Sequence, residues 1–441
     1  MDYSNLSLQQ TPPLTVPLRF FLTAPLFGVA AGLMLLVHGP EVLMNRWMPL
    51  TLGVTHLLTL GFASMVMLGA LQQMLPVVAG SPLSHPEPVS RWVHRLFSLG
   101  VVVLVAGLSW LQSAWMLVAM VLLGLALSIF LLSAGRSLLR VPRMHDTARG
   151  MALAVTALLV TALLGLHMAA TYVDHSTAGT RWLTDIHAGW GFIGWMLLLV
   201  LAVGLQVVPL FQVTPEYPRI LARHLPPLVF ILLAAWALTA AASLPSWVTQ
   251  LSAAPLAAGV AWFAVTTLYL QHRRKRRLPD VTVWFWRTGM GSLLLATGLW
   301  GVAQALPQWA QAPAYPLVLG ILMIVGFVLA VVNGMLYKIV PFLVWLHLNN
   351  RQLAAMMEGH EVHIPHMRQI LPERPARWQF FLFVAALLLA LAAAWQPLWL
   401  ARPAGAAFAL SSGLLWWNVY QAARLFRRVM ADIDAVMAGK E

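Results

Sequence analysis

The sequence predicts an all-α membrane protein of about twelve transmembrane helices, arranged as three related four-helix units. Three observations carry that expectation. Of 441 residues, 60% are apolar and only 9% charged, with a mean hydropathy of +0.78; a soluble domain holds about a quarter charged residues. The apolar residues gather in runs of about 20, too long for barrel strands, and a chain crossing lipid must satisfy its own backbone, so the runs read as helices. A set of small and polar positions also recurs at a fixed period.

Taken in order, the runs centre near residues 28, 64, 103, 124, 160, 199, 233, 260, 296, 329, 386 and 415. The residues up to Val16 hold an acid and no base, which is not the charge pattern of a cleaved leader, so span one is expected to stay as an anchor. An even number of spans places both termini on one side. Of 27 Lys and Arg, only Arg46, Arg181 and Arg402 fall in loops after odd-numbered spans, and Lys338 lies inside span ten. The other 23 sit at the termini, in loops after even-numbered spans or at adjoining helix ends, with the run from His272 to Arg277 the densest. By the positive-inside rule that side is cytoplasmic, which implies a bacterial inner membrane with both termini cytoplasmic. The net charge of +13 then marks topology and contact with anionic lipid. No nucleic-acid reader motif accompanies it.

Span two carries Gly61-Phe62, Gly69, Gln73 and Pro76, and span ten carries Gly326-Phe327, Gly334, Lys338 and Pro341 at the same internal spacings. Span six matches more loosely, with Gly194-Trp195, Ala202, Gln206 and Pro209; the three prolines are 133 and 132 residues apart. The period predicts units of roughly 17–140, 147–280 and 284–430 around a pseudo-threefold axis, within a single domain of 1–441.

With no cysteine in the chain, disulfides, thiolate metal sites and cysteine-held clusters are excluded, and any metal rests on histidine, methionine or carboxylate. Ionisable side chains inside spans are costly and mark function by default. His56 lies about 9 Å into span two, at a rise of 1.5 Å per residue. On α-helical periodicity its face continues through Ala63, Met67, Ala70 and Met74. His187 opens span six above Gly191 and Gly194, whose missing side chains leave room at backbone level; His167 lies near the same end of span five with Thr171 one turn on. His38 and His175 share that side, in or next to loops. Imidazoles at one depth suit a haem iron or a copper ion. The alternative is that each merely bonds a neighbouring helix, and that the glycines only allow close packing.

Other polar features are weaker signals. His360, His363 and His366 form H-x-x-H-x-x-H, a spacing able to hold a divalent metal if helical, but Pro365 interrupts it and the segment reads as a solvated loop. Lys338, near Asn333 and Tyr337, can anchor a quinone or an acidic group, lie on a proton route, or snorkel to the interface. Gln72, Gln73 and Gln206 suit bridges between helices.

The residues Arg19-Phe20-Phe21 opening span one, His56-x4-Gly61-Phe62 and Gly69-x6-Pro76 resemble the NnrS proteins. These are twelve-helix bacterial membrane proteins associated with haem, copper and the response to nitric oxide. The three-times-four arrangement is also similar to the catalytic subunit of haem-copper oxidases and nitric oxide reductases, in which a second-helix histidine ligates the low-spin haem. That resemblance places His56 in the ligand position and implies a b-type haem, with copper as the alternative. Span ten, from Pro316 to Pro341, has no histidine, Ile321 standing where the repeat would place one, and span seven has only His224 at its cytoplasmic end. His85-Pro86-Glu87 is similar to an oxidase copper motif but lies in a loop on the wrong side. These departures argue against oxygen reduction at a haem-copper centre.

The expectation is an inner-membrane haem protein with His56, His187 and His167 as metal ligands and Gly191, Gly194 and Met67 lining the cofactor. It would take part in respiratory electron transfer or nitric oxide handling beside respiratory or denitrifying redox partners. The alternative is a non-catalytic assembly factor, sensor or transporter on an oxidase-like bundle.

Overall fold

The computed structural model describes residues 10–141, 144–174, 182–275 and 280–438; His175, Arg181, Arg276 and Arg277 lie outside them. Helix accounts for 86% of the chain, with no strand among the described residues. Among the described residues, ten helices are long and apolar enough to cross a membrane. They are α1 (Thr15–His38), α2 (Pro49–Ala79), α3 (Pro86–Ser109), α4 (Ser113–Leu139), α5 (Asp146–Val173), α6 (Leu183–Gln212), α7 (Arg219–Ala241), α8 (Ser246–His272), α10 (Ala314–Met357) and α11 (Glu373–Ala393). The ninth and twelfth expected positions hold α9 (Val281–Ala305) and α12 (Pro397–Met437), which are long enough but more polar. Arg287 interrupts the apolar run of α9, and α12 continues for several turns into a charged segment containing Arg424, Arg427, Arg428 and Asp434.

Successive helices pack on one another, and α12 returns to pack on α1. Glycine makes that last contact close: a Cβ added to Gly405 would lie 2.5 Å from the backbone N of Leu36. Small residues are how membrane helices gain van der Waals contact when no hydrophobic drive separates protein from lipid. The helices that carry the repeat are the innermost. In their most apolar stretches α2, α6 and α10 are 72%, 67% and 61% buried, against 28–44% for the other candidate spans.

Each of these three helices contains a π-helical segment: Leu57–Ser64 in α2, Trp190–Leu197 in α6 and Leu322–Leu329 in α10. Their starts repeat the 133- and 132-residue spacing of Pro76, Pro209 and Pro341, which lie inside the α-helical turns that follow. The segments of α2 and α6 both contact that of α10. Those of α2 and α6 are joined by a hydrogen bond, Trp195 Nε1 donating to Ser64 Oγ at 3.0 Å, with both residues 1% exposed. Wide i→i+5 turns are rare and gather at functional sites.

Candidate functional site

His56 is the last α-helical residue of α2 before its π segment, and His187 stands three residues before the π segment of α6. Two cross-helix contacts bracket the pair. On one side Arg46, just ahead of α2, donates to both carboxylate oxygens of Asp185 in α6, at 2.7 and 3.3 Å. On the other is the Trp195–Ser64 bond. The histidines lie between these pins, close enough to interact electrostatically.

Their nitrogens are placed differently. His56 Nδ1 donates to Leu52 O at 2.8 Å, so its proton is on Nδ1 and its Nε2 lone pair is left available. A ring nitrogen tied to a carbonyl is the usual outer support of a metal-ligating imidazole. His187 Nδ1 is buried without a hydrogen-bond partner, and the Thr161 carbonyl lies beside the same ring. Opposite stands Gly165 of α5, where an added Cβ would lie 3.0 Å from His187 Cε1. Gly165 is a site residue that sequence reasoning missed. Its signal in the sequence was a glycine two positions before His167, one among many glycines in the spans.

Of the other expected residues, Gly191 shares Thr161 of α5 with the His187 ring, whereas His167 points away from the bundle. His167 is exposed on α5, on an outward stripe with Leu159 and Leu163 at 43% and 59% exposure. The space left by Gly194 is filled: an added Cβ would meet Ala157 at 2.9 Å and Leu233 and Trp190 at 3.1 Å. Gly191 faces Thr161 of α5 at 3.5 Å. Met67 is 5% exposed and belongs to the apolar core. Gly194 lies well inside a π segment and Met67 beyond one, so a regular 100° step does not run from the histidines to them. No group of three His, Asp or Glu is placed to hold a metal ion among the described residues.

At the opposite end of the bundle Lys338 of α10 pairs with Asp280 at 2.8 Å, their side chains 30% and 13% exposed. Asp280 also caps α9, accepting from Thr282 N at 3.0 Å. The lysine's charge is thus met by an acidic group of the chain itself. His360 and His363 lie in an irregular loop, and His366 caps the short helix Met367–Ile370 in a reciprocal arrangement with Gln369.

No protein-family model matches this chain, and neither does any curated protein.

Proposed function

We propose that the chain is an integral membrane haem protein in which His56 and His187 would hold the haem, working in respiratory electron transfer or nitric oxide handling. The observation that carries this reading is the bracketed histidine pair: two imidazoles between direct cross-helix contacts, one with a fixed tautomer and one with a buried unpartnered nitrogen. Neutral imidazole nitrogens of this kind fit iron and copper. A bound haem would supply a one-electron couple, and would also take nitric oxide if only one of the two histidines held it. The chain's part is to hold the His56 ring through Leu52 O, to seat His187 against Gly165 and to surround both with an apolar bundle. The repeat, the three innermost helices and their equally spaced π segments support three four-helix units around a pseudo-threefold axis, as in the oxidase-like and NnrS proteins the sequence resembles. The distribution of Lys and Arg supports a bacterial inner membrane with both termini cytoplasmic.

A second reading, a non-catalytic scaffold that delivers haem or copper, is favoured by the filled space at Gly194 and by the two-residue size of the histidine group. Absorption spectroscopy with metal analysis of the purified chain separates the readings. A Soret band with stoichiometric iron, lost in His56→Ala, is the expected result. Copper alone supports delivery, and the absence of both iron and Soret absorption under haem-sparing conditions removes the haem proposal.

A further inference from the structure

Three arginines stand together at the ends of α1 and α3. Arg19 of α1 lies within electrostatic reach of Arg91 and Arg95 of α3, and Glu87 is the one acid among its close charged neighbours. Four other arginines have carboxylate partners, Arg46 with Asp185, Arg149 with Asp146, Arg351 with Asp434 and Arg377 with Glu373. None of the three makes an ion pair among the described residues.

The cluster is held by the fold. Ser90 Oγ of α3 donates to Val16 O of α1 at 3.0 Å. One turn further, Thr23 Oγ1 donates to Arg19 O at 2.9 Å, so His94 Nε2 is the donor in its 2.8 Å bond to that hydroxyl. These bonds fix the two helices side by side exactly where like charges oppose their approach. Below the arginines both helices turn apolar side chains outward: Leu26 and Leu33 on α1, each 47% exposed, and Leu99 and Val102 on α3, 54% and 52% exposed. Trp92, 55% exposed, flanks the cluster as interfacial aromatics do.

We propose that this face of the bundle binds an anionic phospholipid, its phosphate among Arg19, Arg91 and Arg95 and its acyl chains along the apolar stripes of α1 and α3. Free inorganic phosphate shares the headgroup chemistry, but the stripes that continue from the arginines fit only a molecule with chains. The site is independent of the haem reading.

The test is native mass spectrometry of the delipidated full chain titrated with phosphatidylglycerol, phosphatidylethanolamine or inorganic phosphate. Phosphatidylglycerol is expected to bind the most tightly, and each arginine removed should weaken it about fivefold, the usual worth of one basic residue at an anionic surface. Arg91→Gln with Arg95→Gln should lose that preference. Arg427→Gln with Arg428→Gln, on the exposed far end of α12, should keep it. Both pairs are exposed surface changes, and matched melting temperatures check that each variant folds. Equal binding of the two lipids, an unchanged preference in the Arg91/Arg95 variant, or phosphate binding as tightly as phosphatidylglycerol would overturn the proposal.

Discussion

The two ends of the α2–α6–α10 centre leave different atoms unpartnered. At the histidine end the buried atoms without a partner, among the described residues, include an imidazole nitrogen, His187 Nδ1, beside a second imidazole whose Nε2 is available, together with the hydroxyls of Ser109 and Tyr172. At the Lys338 end they are the amide oxygens of Gln72, Gln73 and Asn333, the Thr282 hydroxyl and the Trp286 indole N–H. Charge and amides there also pair with one another, Lys338 with Asp280 and Gln271 Nε2 donating to Gln212 Oε1 at 3.0 Å. Imidazole nitrogens ligate transition metals, whereas amides, hydroxyls and an indole N–H suit hydrogen bonds to neighbours or buried water. The repeat supplies the same scaffold to both ends. Residues outside the repeat decide the chemistry, since neither His56 nor His187 has a histidine at the corresponding place in the other units.

The sharpest test of the contrast compares His187→Ala with Lys338→Met. His187→Ala should remove the cofactor's absorbance or shift it to a single-histidine form, and should lower the melting temperature through the space its ring leaves beside Gly165 and through weaker cofactor binding. Lys338→Met should leave absorbance unchanged but destabilise by about 2 kcal/mol by leaving Asp280 without its cation; a fully buried pair would lose ~3–5 kcal/mol, and Lys338 keeps 30% exposure. Adding Asp280→Asn should restore part of that loss in a double-mutant cycle. Loss of the absorbance in Lys338→Met as well as in His187→Ala would erase the distinction.

Gly165→Ala comes next in size. The added Cβ, 3.0 Å from His187 Cε1, forces the ring or α5 to shift by a few tenths of an ångström, at an overpacking cost of about 1 kcal/mol. The expected readout is a displaced His187 imidazole NMR resonance, and a displaced Soret maximum where haem is bound. Gly320→Ala in α10, with nothing within 4 Å of its added Cβ, should move neither signal.

Much of this division was legible in the residues, and the missing parts have identifiable causes. Apolar runs located the helices because burial in lipid demands length and hydrophobicity, and His56 and His187 stood out because ionisable groups are rare at that depth. His167 was indistinguishable from them in sequence. In a membrane the outward and inward faces of a helix are both apolar, so Leu159 and Leu163 gave no sign that its stripe faces away from the bundle. The π segments were equally hidden. Gly61-Phe62 and Gly326-Phe327 marked their positions through the repeat, but nothing in the residues shows that the regular α-helical step relating Met67 to His56 and Gly194 to His187 is interrupted there. Asp280, the partner of Lys338, sits at the cap of a different helix, and only the tertiary fold joins them.

The smallest expected effect is the one that bears most directly on the bracketed pair. Arg46 and Asp185 are 38% and 60% exposed, and a surface ion pair of that kind contributes at most about 1 kcal/mol even when bidentate. Arg46→Gln should therefore shift the melting temperature only slightly, and less still at high salt, where the wild-type pair is itself screened. Its positional effect should exceed its energetic one, since the Trp195–Ser64 bond is then the remaining pin beside the histidines. A distance between spin labels on Val54 and Ala188, measured by double electron–electron resonance, should broaden in Arg46→Gln while the labelled parent stays narrow. A distribution as narrow as the parent's would show that helix packing alone holds the two imidazoles together and that the ion pair has no positioning role.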